Sequence, residues 1–521
     1  MLNKLLGKFD GPLFWITLLG CLAAILTGTV NPEGFAAALN SIQAFITTNF
    51  TWWYLLVVAG FIVFLIWLFL SKYGEIKLGK DDEEPEYSTF SWIAMLFSCG
   101  IGVGFIFWGV AEPLYHYMQT PYLAAPETPE AASVAMQVSL LHWGIHGWVP
   151  YVVVGLSMAY SSYRLGKPMK FSSSLYAVLG KGTEGPWGKL VDFLAAFATI
   201  AGISTSIGMG VMSIRFGVSH LFGFEMTTGL TVTALLLLIV AYTISAVTGL
   251  NRGIKHLSNI NVWLAFGVLL FFLFAGPTRF VLNLLTDGLG HYFQNFIFMT
   301  FWSDPVNQGS WLGWWTVFYW CWWIAWAPFV GGFIARISKG RTIREFIVGV
   351  LFIPFIVTVI WFSIVGGATL HAQINGIVDM WGAIQKDTGS GIYILLTAYP
   401  LGQIVSFIVF VNLLTFLVTS ADSASFLVAM IMSRGDLEPK TVMKIIWGIV
   451  IGLSGVILLV SGGLQALQTV SIVAALPFSI IIIGMLYSLV RGLQSEKSTV
   501  SRHSLGKPNI ALEPESQNAE A

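Results

Sequence analysis

The chain has 521 residues, of which 56% are hydrophobic and only 10% charged, with a mean hydropathy of +0.77. About a quarter of a soluble domain's residues are charged, so this composition excludes an ordinary soluble enzyme and points to a membrane protein. The 26 Lys and Arg balance the 26 Asp and Glu, so no basic excess points to nucleic acid.

In chain order, apolar runs predict twelve spans, at 13–31, 52–70, 92–115, 138–163, 190–213, 229–249, 259–276, 313–335, 345–370, 399–432, 442–461 and 466–490. Stretches 54–70, 229–248 and 262–276 carry no charge. Many of the runs approach or exceed the roughly 20 residues that cross a bilayer as a helix. No small-residue cleavage site follows 13–31, which reads as a retained first helix. With the N-terminus inside, every Lys and Arg except Arg215, Arg279 and Lys386 falls in an inner segment. That distribution is the positive-inside pattern, and it places both termini in the cytoplasm. Between the seventh and eighth spans, "RFVLNLLTDGLGHYFQNFIF" predicts an amphipathic helix at the outer membrane surface. From 494 onward the chain is polar and reads as a cytoplasmic tail. Cys21, Cys99 and Cys321 lie in apolar runs without metal-ligand spacing and read as small packed hydrophobes.

Two spans carry helix breakers near their middles. In the third, "SCGIGVGFIFWGVAEP" sets Gly100, Gly102 and Gly104 at alternate positions, which frees backbone groups. In the eighth, Pro328 removes one N–H and releases a carbonyl a turn earlier. They sit five spans apart, an odd number, so they run in opposite directions. Broken helices at matching places of two inverted five-helix units mark a transporter's central site; close helix packing is the other use of such glycines.

Span 8 also holds "FYWCWWIAWAPFVG", with Trp320, Trp322, Trp323 and Trp326 within seven positions. Tyr319, Trp323, Trp326 and Val330 share one helical face. Span 4 adds "HWGIHGWVPYVVVG", in which Trp143, Trp148 and Tyr151 spread over an arc of about 140° on a regular helix. Two such helices facing each other predict a box of π faces. A box of this kind binds a cation lacking hydrogen-bond donors, above all a quaternary ammonium. Trp52, Trp53, Trp302 and Trp311 fit the aromatic belt at the headgroups instead. Trp323 and Trp326 lie too deep for that.

Carboxylates are scarce in the spans: Glu112 and Asp422 are the main ones, with Asp192 near an end. Span 10 contributes "FLVTSADSASF", whose Thr419, Ser420, Asp422, Ser423 and Ser425 read either as oxygens for a sodium ion or as hydroxyls bonded to neighbouring backbone. His142 and His146 read as hydrogen-bonded histidines near a helix end more readily than as proton carriers.

"GIGVGFIFWGVAEPLYHY", "LLHWGIHGWVPY", "FYWCWWIAWAPFVGGFIARISKGRTIREF" and "TSADSAS" together resemble the betaine/choline/carnitine transporter family, from about residue 10 to 490. The resemblance implies an all-α membrane protein of twelve transmembrane helices with two inverted five-helix repeats, the fold of neurotransmitter:sodium symporters. It implies an N-terminal segment 1–90, a first repeat 91–276, a periplasmic connection 277–312, a second repeat 313–491 and a tail 492–521. A homotrimer in the bacterial inner membrane working by alternating access is implied as well. Carried over, the aromatic box falls on Trp143, Trp148, Tyr151 and Trp323, with Trp326 a further substrate contact. Trp322 lies on the inner pathway together with Tyr319, and Gly100, Gly102 and Gly104 face a substrate carboxylate. Choline-preferring members tend to carry an aspartate where this chain has Gly104, so the resemblance favours a zwitterion such as glycine betaine. One family sodium site maps onto Phe416, Thr419 and Ser420. The second maps onto Thr199 and Phe329, but Ile203 stands where a second threonine is expected. The expectation is sodium-coupled uptake without another cofactor. Sodium-independent exchange, and choline or a sulfonium analogue such as dimethylsulfoniopropionate as substrate, are the alternatives. A channel is disfavoured by the broken helices, and no nucleophile–base pair in the spans points to an enzyme.

Overall fold

The computed structural model describes residues 6–100, 102–248, 255–307 and 309–504; the side chains of 97–100, 246–248, 255 and 497–504 fall outside the description. Arg252 and the expected tail beyond 504 therefore lie outside the described residues, as does the Cys99 side chain. Among the described residues the regular elements are helices, apart from one isolated bridge between Lys77 and Thr342.

Helix α1 (Gly11–Val30) opens on Asp10, whose carboxylate accepts the Leu13 amide at 3.3 Å. Asn31 ends it and caps α2 (Pro32–Leu70) by accepting the Gly34 amide at 2.9 Å, with Pro32 preset for a first turn. At 39 residues α2 is about 58 Å long, so it begins well before the expected span and its first half extends past a bilayer core. Apolar side chains on α1, including Trp15, Ile16, Leu19 and Leu26, face outward. With no polar cover, that surface suits lipid.

Span 3 is described on either side of residue 101, as α3 (Thr89–Gly100) and α4 (Gly102–Met118), and Gly102, at the start of α4, takes a left-handed φ of +42° that departs from helical geometry. Span 4 also divides, into α5 (Pro129–Trp143) and α6 (Ile145–Ala159), at Gly144. Then follow α7 (Pro186–Phe222), α8 (Thr228–Thr248), α9 (Lys255–Ala275) and α10 (Thr278–Phe301). On α10 the residues Val281, Leu284, Gly288, Tyr292 and Met299 are buried along one stripe, as its amphipathic sequence predicts.

Helix α11 (Phe318–Ile337) lies at the centre of the bundle and is buried throughout. Here the expected break at Pro328 does not occur: the helix runs through it. Pro328 removes one hydrogen bond, but packing on all sides holds the rest. The irregular turn lies earlier, in the π-helical stretch Gly313–Val317. Gly331 brings α11 close to α6, where an added Cβ would come within 2.7 Å of Val154. Helices α12 (Ile343–Ile374), α13 (Gly402–Met432) and α14 (Thr441–Ser504) complete the chain. Helix α14 departs from helical geometry at Gly462 and Gly463, between the two expected runs. Among the described residues nine helices are long and apolar enough to cross a membrane, and the divided spans 3 and 4 are not among them.

Several segments assigned to the inner side meet at one end of the bundle. Arg164 pairs with Asp81 at 2.5 Å and with Glu496 at 3.0 Å. Lys339 pairs with Glu83 at 2.9 Å and Arg336 with Glu86 at 3.1 Å. The amide of Leu78 donates to the Arg341 carbonyl at 2.7 Å, closing loop 76–87 onto loop 338–344. The half-buried Glu83 carboxyl sits below the usual carboxylate range, chiefly because it accepts the Lys80 amide and then because Lys339 lies beside it.

Candidate functional site

The division of span 4 organises the site. Ending α5 at Trp143 leaves carbonyls without intrahelical partners. The indole N–H of Trp323 donates to the His142 carbonyl at 2.8 Å, and the Thr358 hydroxyl donates to the Trp143 carbonyl at 3.1 Å. Across the bundle, Trp361 donates to the Phe105 carbonyl of α4 at 2.9 Å. Freed backbone therefore fixes aromatic rings around one space.

That space is lined by Phe105, Trp143, Gly147, Trp148, Tyr151 and Trp323. Trp143 meets Trp323 edge-on at 4.9 Å, Trp148 meets Tyr151 at 5.5 Å, and Tyr151 meets Trp323 at 6.1 Å. All four expected box residues are brought together. They do so although Trp143 lies on a different helix from Trp148 and Tyr151, so a single helical wheel does not apply to them. Phe105 and Gly147 are lining residues that sequence reasoning missed. The rings close on a cavity of about 10 Å³, barely one water, so they have to part to admit a solute.

The other expected residues surround this core. Trp322 stacks on Trp323 at 4.9 Å, and Tyr319 packs beside it at 5.8 Å. Trp326 lies outside the lining, against Phe329 at 5.6 Å and beside Gly202. A Cβ on Gly104 would come within 2.6 Å of Trp143 and 3.4 Å of Trp322, so only glycine lets α4 approach the box there. A Cβ on Gly102 would stand 3.2 Å from the Ser420 hydroxyl. The surroundings of Gly100 lie outside the described residues.

The expected oxygens for an ion differ in state. Ser420 is buried and its hydroxyl has no hydrogen-bond partner. Thr419 donates to the Phe416 and Thr415 carbonyls at 3.0 Å and accepts from Asn261 at 3.3 Å. Thr199 bonds its own helix at the Ala195 carbonyl, 2.8 Å away, and Ile203 is fully buried.

Behind the box lies a cluster that the sequence did not assign to the site. Both oxygens of the fully buried Glu112 are engaged. One accepts from His142 Nδ1 at 2.6 Å and from His116 Nε2 at 3.2 Å. The other accepts the Trp143 indole N–H at 2.6 Å and the Tyr319 hydroxyl. Glu112 thus ties together two aromatic residues of the site from two different helices. Its signal is present in the sequence: an ionisable residue in a span, with His116 one turn on.

The model of the BCCT, betaine/carnitine/choline family transporter, matches residues 12–498. The chain belongs to the BCCT family. This BCCT chain is 43% identical to the glycine betaine transporter OpuD of Bacillus subtilis, over 96% of this chain and 98% of that protein. It is 42% identical to a probable glycine betaine transporter of Desulfitobacterium hafniense, over 95% and 100%. It is also 40% identical to an ectoine/hydroxyectoine transporter of Virgibacillus pantothenticus, over 94% and 98%. Among solved structures it is similar to MhsT in complex with L-phenylalanine, at 14% identity and a TM-score of 0.48, over 77% of this chain and 89% of that one. As a BCCT member the chain is a membrane transporter and not an enzyme.

Proposed function

We propose that this BCCT transporter takes up glycine betaine with sodium by alternating access. The observation that carries the substrate is the box of Trp143, Trp148, Tyr151 and Trp323 on one cavity. π faces attract a trimethylammonium group, which offers no hydrogen-bond donor and needs none in return. Gly102 and Gly104 bring the start of α4 to the same place, where freed amides and the positive end of the helix suit a carboxylate. Relatives named as glycine betaine transporters support the same solute.

For the ion, Ser420 supplies a buried oxygen without a partner, next to Thr419 and the Phe416 carbonyl. An oxygen set of this kind is what sodium requires. We extend the proposal to twelve spans in two inverted repeats (91–276 and 313–491), to both termini in the cytoplasm of a bacterial plasma membrane, and to a homotrimer.

The test is uptake of labelled glycine betaine into proteoliposomes with and without an inward sodium gradient. Accumulation that follows the gradient, and is lost in Trp323→Leu, is the expected outcome. Uptake indifferent to sodium but stimulated by betaine or carnitine inside would replace symport by exchange. One observation favours that second reading: the Ile203 side chain has no ligating atom, and Thr199 already bonds its own helix. Absence of betaine uptake would move the assignment to choline or a sulfonium solute.

A further inference from the structure

We propose that His142, Glu112 and Thr316 form a proton-binding site behind the aromatic box, and that its proton opposes the cationic group of the substrate. The inference rests on reading the box as the cation's site.

Glu112 accepts four donors in a place closed to water. The Trp143 indole can only donate, so the oxygen facing it is unprotonated. The other oxygen takes a hydrogen from His142 Nδ1 when Glu112 is ionised, and with both histidines neutral the cluster then carries one buried negative charge, which is costly without a compensating cation. His142 can supply that cation without losing a contact. Its Nδ1–H donates to Glu112 at 2.6 Å, while Nε2 stands 3.0 Å from the Thr316 hydroxyl. When Nε2 is bare, the hydroxyl donates to it. When Nε2 takes a proton from solvent, the same oxygen accepts, because a hydroxyl can do either. The cluster's charge then goes from −1 to 0 with both nitrogens still bonded. His116 lacks this arrangement: its Nδ1 has no partner, and a proton there would be a buried donor without an acceptor.

Other titratable groups around His142 do not replace this pair. Tyr319 from α11 stacks on the His142 ring at 4.6 Å and spends its hydroxyl on Glu112. His146 of α6 faces Thr300 of α10 at 2.8 Å and stacks on Trp320. On α10, Asp287 pairs with His291 at 3.4 Å. Beside α4, Asp387 pairs with Arg215 of α7 at 2.7 Å, and Lys386 ends the neighbouring helix Met380–Lys386.

The Trp143 indole separates Glu112 from the box. A cation among the rings is therefore attracted by the −1 cluster and less so by the neutral one. By linkage, the proton and the solute weaken each other's binding by the same factor.

The test measures glycine betaine binding to the purified full-length transporter between about pH 5 and 8, where histidines titrate. The dissociation constant should rise as pH falls, by up to tenfold per pH unit for one linked proton. Betaine binding should release up to one proton to an indicator dye. His142→Gln and Glu112→Gln should bind with no pH slope. Thr316→Val should move the midpoint to lower pH and Thr316→Ser should restore it, a pattern that a merely structural role would not give. A wild-type constant flat across the range, or an unchanged slope in His142→Gln, overturns the proposal. Should betaine bind at no pH, the substrate reading fails by itself. Infrared spectra of the substrate-free protein then decide the proton site: an imidazolium signal titrating in wild type and missing in His142→Gln upholds it, and its absence in wild type sinks it.

Discussion

The first turn of α4 joins two regions built on opposite terms. At Gly104 it meets the aromatic box, where Glu112 receives four donors and the indoles of Trp143 and Trp323 are both hydrogen-bonded. At Gly102 it meets Ser420, whose buried hydroxyl has no partner. A network whose hydrogen bonds are matched fixes the rings and leaves their faces bare, which suits a solute that forms no hydrogen bonds at its cationic end. An unsatisfied buried oxygen carries a standing cost that a bound cation relieves. On the proposed reading, the contrast between ring wall and oxygen pocket would separate solute from ion more sharply than the residue types do.

The largest blow to the ring side is Trp323→Leu, which removes a π face and the bond to the His142 carbonyl. A desolvated cation–π contact is worth ~2 kcal/mol, so betaine affinity should fall at least about 30-fold, measured by equilibrium binding. Sodium affinity, titrated without betaine, should change far less. Ser420→Ala attacks the other side. The sodium concentration for half-maximal uptake should rise roughly tenfold, the size of one charge-assisted oxygen contact, with betaine affinity at saturating sodium nearly unchanged. If both constants moved together in either variant, the two regions would be one site.

Gly104→Ala tests their junction. Its Cβ would sit 2.6 Å from Trp143, and overpacking of this kind costs ~1–3 kcal/mol. Betaine affinity should drop by about tenfold, and a second change of Trp143 to Phe should recover part of it. The smallest effect belongs to the inner loops, far from both regions. Glu83→Gln removes a half-buried carboxylate held below its ordinary range. A lowered value means that its contribution is full above the usual carboxylate range and fades as pH falls through the lowered one. Hydrogen exchange of amides 78–87 should quicken in the variant at neutral pH, and wild type should approach it in acid. Transport affinities should hold.

Much of this is legible in the chain. Run lengths locate the apolar helices, and the glycines of "GIGVG" mark a real break at Gly102. The family resemblance picks out the four box residues, whereas depth in the span singles out Trp323 and Trp326 alike, and of that pair only Trp323 lines the cavity. Pro328 misleads, since a missing hydrogen bond breaks a helix only where packing does not hold it. Gly144, Gly147 and Pro150 announce a loosened backbone in span 4, but the wheel drawn through Trp143, Trp148 and Tyr151 treats it as one helix, which the break at Gly144 disallows. Glu112 is conspicuous as a rare carboxylate but has no place in a linear reading, because its partners come from residues 30 and 207 positions away as well as from its own helix.

The sequence by itself determined that this chain is a bundle of membrane helices, where its positive charge collects, and that deep aromatic residues of two spans, Trp143, Trp148, Tyr151 and Trp323 among them, belong to one cluster. Hydropathy, charge and residue chemistry are properties of segments, and segments can be read one at a time. Tertiary structure alone decided that rings from α5, α6 and α11 close on one cavity, that Glu112 holds two aromatic side chains from behind, and that Ser420 remains unpaired. Each of those facts depends on where freed carbonyls and buried oxygens find donors, and the donors arrive from distant parts of the chain.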